Sequence, residues 1–325
     1  MFALGEWFDY FKHQFTFFLQ PSHGLYVGYL LVAGIIATAY GCYQLRTGNV
    51  LRSLQYLKHL HLVNNVSFGD DVKLFIVDKL LLGFIYTFLF GVAVFFKERT
   101  ILIMDFFELS TDLGEASFFV TILYTAGVLI VFDFGTFFEH YLSHKYKFLW
   151  EFHKVHHIPT HLNPITAYRS HPVNQGLFVV LTGSLMGIFS GVVGAFYPGQ
   201  SLTWVLAGQN GLMCLLLVLG LNLQHSHVQL RYPRVLRDIF VSPAYHQVHH
   251  SRSKRHYNKN FGFIFSFWDR LFGTQVHLNQ NTELEFGLQG EPYHQYSGII
   301  NHYLTPFLKV ARMRREKRKR LGTKS

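Results

Sequence analysis

Histidines at helical spacing are the residues of this chain that could carry chemistry. They form three clusters, His140-x-x-x-His144, His153-x-x-His156-His157 and His246-x-x-His249-His250. Residues three and four positions apart share one face of a helix, with Cβ atoms about 5–6 Å apart, so each cluster can direct its ring nitrogens toward one point. Neutral imidazole is a good ligand of iron, zinc, copper and nickel. Because one zinc-like ion needs only about four ligands, these eight imidazoles predict two metal ions side by side.

A lone histidine on an apolar helix is more often a core residue than a ligand, but three clusters in one chain are hard to explain by packing. A further pair, His225-Ser226-His227, ends the last apolar stretch. Two residues that are two positions apart on a helix point about 200° away from each other, so both rings cannot share one metal ion. We predict that His225 is a ligand and keep His227 as a second candidate ligand or a polar support.

The composition indicates which elements hold these histidines. The chain has 325 residues, of which half are hydrophobic and only 15% are charged, against about 25% charged in soluble domains. A helix of about 20 apolar residues spans a bilayer, and five stretches qualify: Leu25–Leu45, Leu80–Phe96, Ser117–Phe138, Gly176–Phe196 and Ser201–Leu223. The sequence therefore predicts an all-α, multi-pass transmembrane bundle of about five spans, with a cytosolic helical cap that holds the histidines.

Loop charge predicts the orientation of these spans, because basic loops face the cytoplasm. The loop 97–116 carries two basic and five acidic residues, whereas the segment after residue 223 carries 17 basic and six acidic residues. All three histidine clusters then face the cytoplasm and the N-terminus faces outward. Residues 2–19 are aromatic and interrupted by charge, which favours a helix in the membrane interface. The basic tail at Arg312–Lys324 can contact anionic lipid headgroups, or it is a solvated segment that only sets the topology. No nucleic-acid-binding fold is evident.

Some supporting residues can also be predicted. Asp133 precedes His140 by seven residues, or two helical turns. A carboxylate inside a span usually faces a partner, and a metal-bound histidine commonly donates its second ring N–H to a carboxylate. We expect Asp133 to orient a histidine in this way, with a polar contact between helices as the alternative. Pro159 ends the helix of the second cluster, and Ser242-Pro243 begins the helix of the third.

The order of these motifs resembles a known family. Residues 133–157 read D-F-x-x-F-x-x-H-x-x-x-H-x-x-x-x-L-W-x-F-H-K-V-H-H, and later come His225-Ser226-His227, Ser242-Pro243-Ala244-Tyr245-His246-Gln247-Val248-His249-His250-Ser251 and Asn260-Phe261-Gly262 through Trp268-Asp269-Arg270. This pattern is similar to the fatty acid hydroxylase/sterol desaturase superfamily of membrane di-iron oxygenases. The resemblance covers about residues 133–290.

The resemblance implies two iron ions, held by His140, His144, His153, His156, His157, His225, His246, His249 and His250. It makes Asp269 a supporting residue and leaves His171 without an assigned role. It divides the chain into membrane helices (1–132), a catalytic domain (133–295) and a basic tail (296–325). Zinc binds the same imidazoles well, so a purified protein can carry zinc instead.

The reaction implied is hydroxylation or desaturation of a sterol-like or fatty-acyl membrane lipid by O2. The chain has no evident flavin motif, and Cys42 and Cys214 form no iron–sulfur set. Electrons must therefore come from an external donor, a ferredoxin or a b-type cytochrome with its reductase. Two alternatives stay open: a carotenoid or ornithine-lipid hydroxylase, and, in another class, a metal-binding transporter or sensor. A transporter would place ligands near the bilayer midplane, whereas most of these histidines lie beyond the predicted span ends.

Overall fold

The computed structural model describes residues 16–61, 66–278 and 283–322. The described chain is mostly helical, which confirms the all-α class. The predicted interfacial helix over residues 2–19 falls largely outside the described residues, which include only a 3-10 turn at Phe17–Leu19. The division into three domains and the orientation of the spans stay predictions.

The helices before the first histidine cluster are α1 (Val27–Gln44), α2 (Val50–His61), α3 (Val66–Val77) and α4 (Gly83–Phe106), with a π-helical turn at Asp78–Leu82. The next three are α5 (Phe118–Lys145), α6 (Lys147–His157) and α7 (Pro172–Gly194). A short antiparallel pair, β1 (Val205–Leu206) and β2 (Gln209–Asn210), aligns Val205 with Asn210. The remaining helices are α8 (Gly211–Val218), α9 (Arg234–Arg237), α10 (Pro243–His249), α11 (Phe267–Leu271) and α12 (Ile299–Gly322).

Helices α4, α5 and α7 form the central bundle, in which α7 packs against both neighbours. Gly191 allows the backbones of α7 and α4 to approach, because an added Cβ there would lie 2.7 Å from the Lys97 carbonyl oxygen. On the other side, Gly135 of α5 packs against Thr182 of α7. The C-terminal end of α5 and the N-terminal end of α7 therefore lie at the same pole of the bundle, and the histidines gather at that pole.

Three of the described helices are long and apolar enough to cross a membrane, namely α1, α5 and α7. They correspond to the first, third and fourth predicted spans. Helix α4 covers the second and has 24 residues, but Lys97, Glu98 and Arg99 interrupt its second half. The total of about five spans and the cytosolic cap are therefore not established by the fold.

The fifth predicted span, Ser201–Leu223, is wrong as a single helix. It contains the β1–β2 pair, the eight-residue helix α8 and a 3-10 turn at Leu221–Gln224. Eight residues rise only about 12 Å, too short to span a bilayer. The side chain of Asn210 caps the start of α8 by accepting from the backbone N–H of Leu212, and Gly220 ends it in a left-handed conformation with φ of 89°. Hydropathy alone does not reveal these stops.

Candidate metal centre

Four segments of the chain bring the predicted ligands together. Helix α5 begins at Ser117, whose side chain accepts from the Val120 N–H, and it runs past the predicted span end to Lys145. His140 and His144 lie in its last turns, as expected. The second cluster lies on α6, the third on α10, and His225 directly follows the 3-10 turn at Leu221–Gln224. The predicted helix start at Ser242 is confirmed, because its hydroxyl accepts from Tyr245 N–H at 3.2 Å.

Nine of the ten predicted ligands converge in two adjacent groups. The first group contains His140, His144, His153, His157 and His249, and the second contains His156, His225, His246 and His250. Within each group the ring nitrogens lie within 4.8 Å of one another. His157 Nε2 lies 3.2 Å from His144 Nε2 and 3.1 Å from His249 Nε2, while His225 Nε2 lies 3.1 Å from His250 Nε2. The Nε2 atoms thus meet at two points.

The hydrogen bonds made by Nδ1 show which nitrogen carries the hydrogen in three of these rings. Backbone carbonyl oxygens accept from three Nδ1 atoms: His140 to Phe261 at 3.0 Å, His156 to Arg169 at 3.2 Å and His249 to Lys259 at 2.8 Å. A carbonyl oxygen only accepts, so each Nδ1 carries the hydrogen, and Nε2 of a neutral ring presents a lone pair. These bonds also fix the ring orientations, as partners of metal-bound histidines commonly do.

The converging lone pairs fit a cation. His140 Nε2 is buried and has no hydrogen-bond partner among the described residues. Burial lowers the pKa of His153, His157 and His249 well below the usual value, chiefly by desolvation and then by neighbouring histidines, and it lowers the pKa of His156 to about 4. The rings are therefore neutral at physiological pH, and their lone pairs repel unless a metal ion lies between them. This donor set is consistent with a metal cofactor.

Glu139 and Asn174 support His153 and were missed by the sequence analysis. The Asn174 side-chain oxygen accepts from His153 Nδ1 at 2.8 Å, and its amide group donates to Glu139 Oε1. Ser143 Oγ donates to the same carboxylate oxygen at 2.6 Å. Glu139 directly precedes His140, but the sequence analysis assigned it no role. The sequence did offer one signal for this role, namely a carboxylate just past the predicted span end at residue 138, on a helix that was expected to continue.

Asp133 has a different partner from the expected one. Its oxygens accept from the backbone N–H groups of Ile264 at 2.7 Å and Phe265 at 3.0 Å and from the Trp268 indole at 3.0 Å. The expected hydrogen bond from a histidine ring is not formed, because His140 donates to a carbonyl instead. Asp133 thus anchors the segment before α11 to α5.

Asp269 supports the centre through one backbone residue. Its Oδ1 accepts from Phe261 N–H at 2.8 Å and its Oδ2 accepts from Gly262 N–H at 2.8 Å. The carbonyl of the same Phe261 is the acceptor for His140. Asp269 is therefore placed to fix the position of that carbonyl, and we propose that it is a positioning residue.

His227 and His171 lie outside both groups. His227 Nε2 accepts from the backbone N–H of Leu162 at 3.3 Å, and its ring centroid lies 4.1 Å from that of His161. His171 caps the start of α7 with Nδ1 and donates from Nε2 to the Tyr303 carbonyl at 3.1 Å, which ties α7 to α12. The geometry gives neither residue a place among the nine converging rings.

We predict that His225→Asn and His227→Asn have opposite outcomes. Asparagine keeps a polar side chain but is a poor replacement for an imidazole ligand, so loss of His225 should remove metal from the second group and abolish turnover. The His227 variant should keep its full metal content, because this ring supports the Leu162 backbone. Metal per protein, measured on both purified variants, checks the assignment; metal loss only in the His227 variant would reverse it.

Comparison with known proteins adds the family. Residues 125–274 match the fatty acid hydroxylase family model. Ornithine lipid hydroxylase OlsE of Rhizobium tropici is 28% identical over 184 residues, which cover 57% of this chain and 50% of the relative. Human alkylglycerol monooxygenase is 26% identical over 48% of this chain and 31% of its own length. Very-long-chain aldehyde decarbonylase GL1-9 of Oryza sativa subsp. japonica is 29% identical over 50% of this chain and 58% of its own length.

This chain thus spans between 31% and 58% of the length of these curated relatives. No solved structure matches it. The matched segment begins in α5 and ends just after α11, so it contains all nine converging histidines. By this match and by its three histidine clusters, residues 125–274 of the chain are similar to the fatty acid hydroxylase family, and the compared relatives lie in the fatty acid hydroxylase/sterol desaturase superfamily.

Proposed function

We propose that this chain is an O2-dependent oxidoreductase that binds two iron ions and hydroxylates a C–H bond of a membrane lipid. The observation that carries the proposal is the convergence of nine neutral imidazoles in two adjacent groups. Five rings in one group and four in the other match two coordination sites better than one. Imidazole ligands suit iron, and zinc can occupy the same rings after purification.

The irons would supply the binding and reductive activation of O2, and the protein supplies orientation and exclusion of water. Helices α5, α6 and α10 each present rings one helical turn apart, so small helix movements would misplace several ligands at once. The carbonyls of Phe261, Arg169 and Lys259 hold three rings with the Nε2 atoms inward. The Glu139–Asn174 pair does the same for His153.

Buried aromatic rings lie beside the first group. The Phe261 ring centroid lies 5.0 Å from that of His144, 5.5 Å from that of His140 and 5.6 Å from that of His249. Phe137 is fully buried behind it, with its ring centroid 6.4 Å from that of Phe261. Buried aromatic rings of this kind exclude water from the histidines.

The relatives favour hydroxylation over desaturation. Two of the three compared proteins are named as a hydroxylase and a monooxygenase, and both names denote lipid substrates. We therefore place polar membrane lipids with alkyl chains first, ornithine lipids among them, and keep sterols and carotenoids as substrates to be compared. The transporter alternative has less support, because the histidines form one enclosed cluster rather than a series along the bundle.

The test is lipid mass spectrometry of cells with and without the gene. We expect one lipid class to gain one oxygen atom when the gene is present, because the proposed reaction inserts one atom of O2 into a C–H bond. Growth under 18O2 should move the label into that lipid. A loss of two hydrogens without label would instead identify a desaturase, and an unchanged lipid profile in metal-loaded, expressing cells would contradict the proposal.

A further inference from the structure

An exposed basic segment lies directly on the first histidine group. Residues 252–259, here called the basic loop, follow the third cluster and carry Arg252, Lys254, Arg255 and Lys259. Arg252 Nε pairs with Glu285 Oε2 at 2.7 Å. Lys254 and Arg255 are exposed, and neither forms an ion pair with any residue that the structure describes. The loop therefore presents positive charge to its surroundings.

The basic loop is joined to the first group by a hydrogen bond with His249 and lies beside His144. The Lys259 carbonyl accepts from His249 Nδ1 at 2.8 Å. The exposed side chain of Asn258 lies beside His144. One peptide segment thus separates the surface from the imidazoles on this side of the centre.

The base of the basic loop is held in one conformation. Asn258 and Asn260 adopt φ values of 56° and 59°, in the left-handed region that asparagine tolerates better than most residues. The buried Asn260 side chain donates to the carbonyls of Tyr245 at 3.0 Å and Val276 at 2.8 Å. These bonds hold the base of the loop against α10.

We propose that the basic loop is the docking surface for an acidic one-electron carrier protein. The inference rests on the proposed function, in which R–H, O2, two electrons and two protons give R–OH and one water. A one-electron carrier must therefore dock twice per turnover. Opposite charge on the two surfaces accelerates and orients such encounters, and the hydrogen bond from His249 to the Lys259 carbonyl gives this surface a short route to the centre.

The basic end of α12 is the competing surface. Residues 314–320 carry more positive charge than the basic loop. Among the described residues, however, no hydrogen bond joins that end of α12 to a ring of either group. It therefore offers charge without a connection to the centre, which makes it a suitable control.

The experiment compares two charge reversals in the full-length, iron-loaded protein. Lys254→Glu/Arg255→Glu changes the basic loop, and Lys317→Glu/Arg318→Glu makes the same change of charge at the end of α12. Two probes drive turnover: an acidic [2Fe–2S] ferredoxin with its NADPH-dependent reductase, and the soluble haem domain of a b-type cytochrome with its own reductase. Dithionite, which needs no docking surface, drives the reference reaction.

We expect the loop variant to raise KM for the effective carrier about tenfold at low salt, with an unchanged dithionite rate and a weaker dependence on NaCl. The α12 variant should change KM less than about twofold. Equal effects in both variants, no effect in either, or failure of both carriers while dithionite works would contradict the docking proposal. Absence of product with dithionite in the unmodified protein would instead contradict the proposed function.

Discussion

Replacing His157 by alanine is expected to abolish product formation while the protein still inserts into the membrane. His157 lies at the centre of the first group, with Nε2 3.1–3.2 Å from those of His144, His153 and His249. Insertion depends on the apolar helices, whereas oxygen activation needs a complete ligand set. We expect metal content to fall from two ions to one or fewer per chain, measured by elemental analysis of purified protein.

The matched control is His294→Ala, which removes an exposed histidine outside both groups. It should keep both the metal content and the activity of the unmodified protein. Comparable helical circular dichroism for the two variants separates loss of a ligand from loss of the fold. If the His157 variant turns over at the unmodified rate with two ions bound, His157 is not a ligand.

The largest expected loss of stability comes from breaking the buried ion pair between Arg169 and Asp71. Arg169 Nε lies 3.1 Å from Asp71 Oδ1, and both side chains are buried. Arg169→Met keeps the length of the side chain but leaves a buried carboxylate unpaired, which costs about 3–5 kcal/mol. The pair joins α3 to the turn before α7, next to the carbonyl that holds His156. SDS-induced unfolding in mixed micelles measures the change in the free energy of unfolding.

A double-mutant cycle separates this ion pair from other effects of the substitution. Asp71 also accepts from Asn163 at 2.7 Å and Thr166 at 2.9 Å, so Asp71→Asn alone should destabilise as well. The double variant should lose less free energy than the sum of the two single variants, by about 0.5–3 kcal/mol. Strict additivity would show that the two groups do not interact. The exposed pair Arg312–Glu316 is the comparison, because Arg312→Met should cause no measurable loss.

The sequence by itself determined which residues form the centre and where several helices begin and end. Spacing of three and four residues is read directly from the chain, and it identified eight of the nine converging rings, while the His225-Ser226-His227 pair at the end of the last apolar stretch pointed to the ninth, His225. Local signals were equally informative: Ser242 caps α10, and α6 ends at His157 just before Pro159. These features depend on neighbouring residues, so they need no tertiary information.

Only the tertiary structure decided which ring joins which group. On α6, His153 and His157 belong to the first group and His156 to the second; on α10 the division is reversed, with His246 and His250 in the second group and His249 in the first. Each H-x-x-H-H motif therefore places two rings in one group and one ring in the other. Adjacent residues on a helix point about 100° apart, but which direction faces which neighbour depends on how the helices pack.

The hydrogen bonds that orient the histidine rings could not be predicted from the sequence either. Three rings are held by backbone carbonyls, which every residue possesses, so no side-chain pattern marks Phe261, Arg169 or Lys259 as partners. Asp133 was expected to face a histidine, but the loop that packs beside α5 places backbone N–H groups at its oxygens. The hydropathy of residues 201–223 predicted one helix, whereas Asn210 and Gly220 limit α8 to eight residues. For the three rings and for Asp133, the deciding partners are backbone groups of other segments, and only the packed chain brings them into contact.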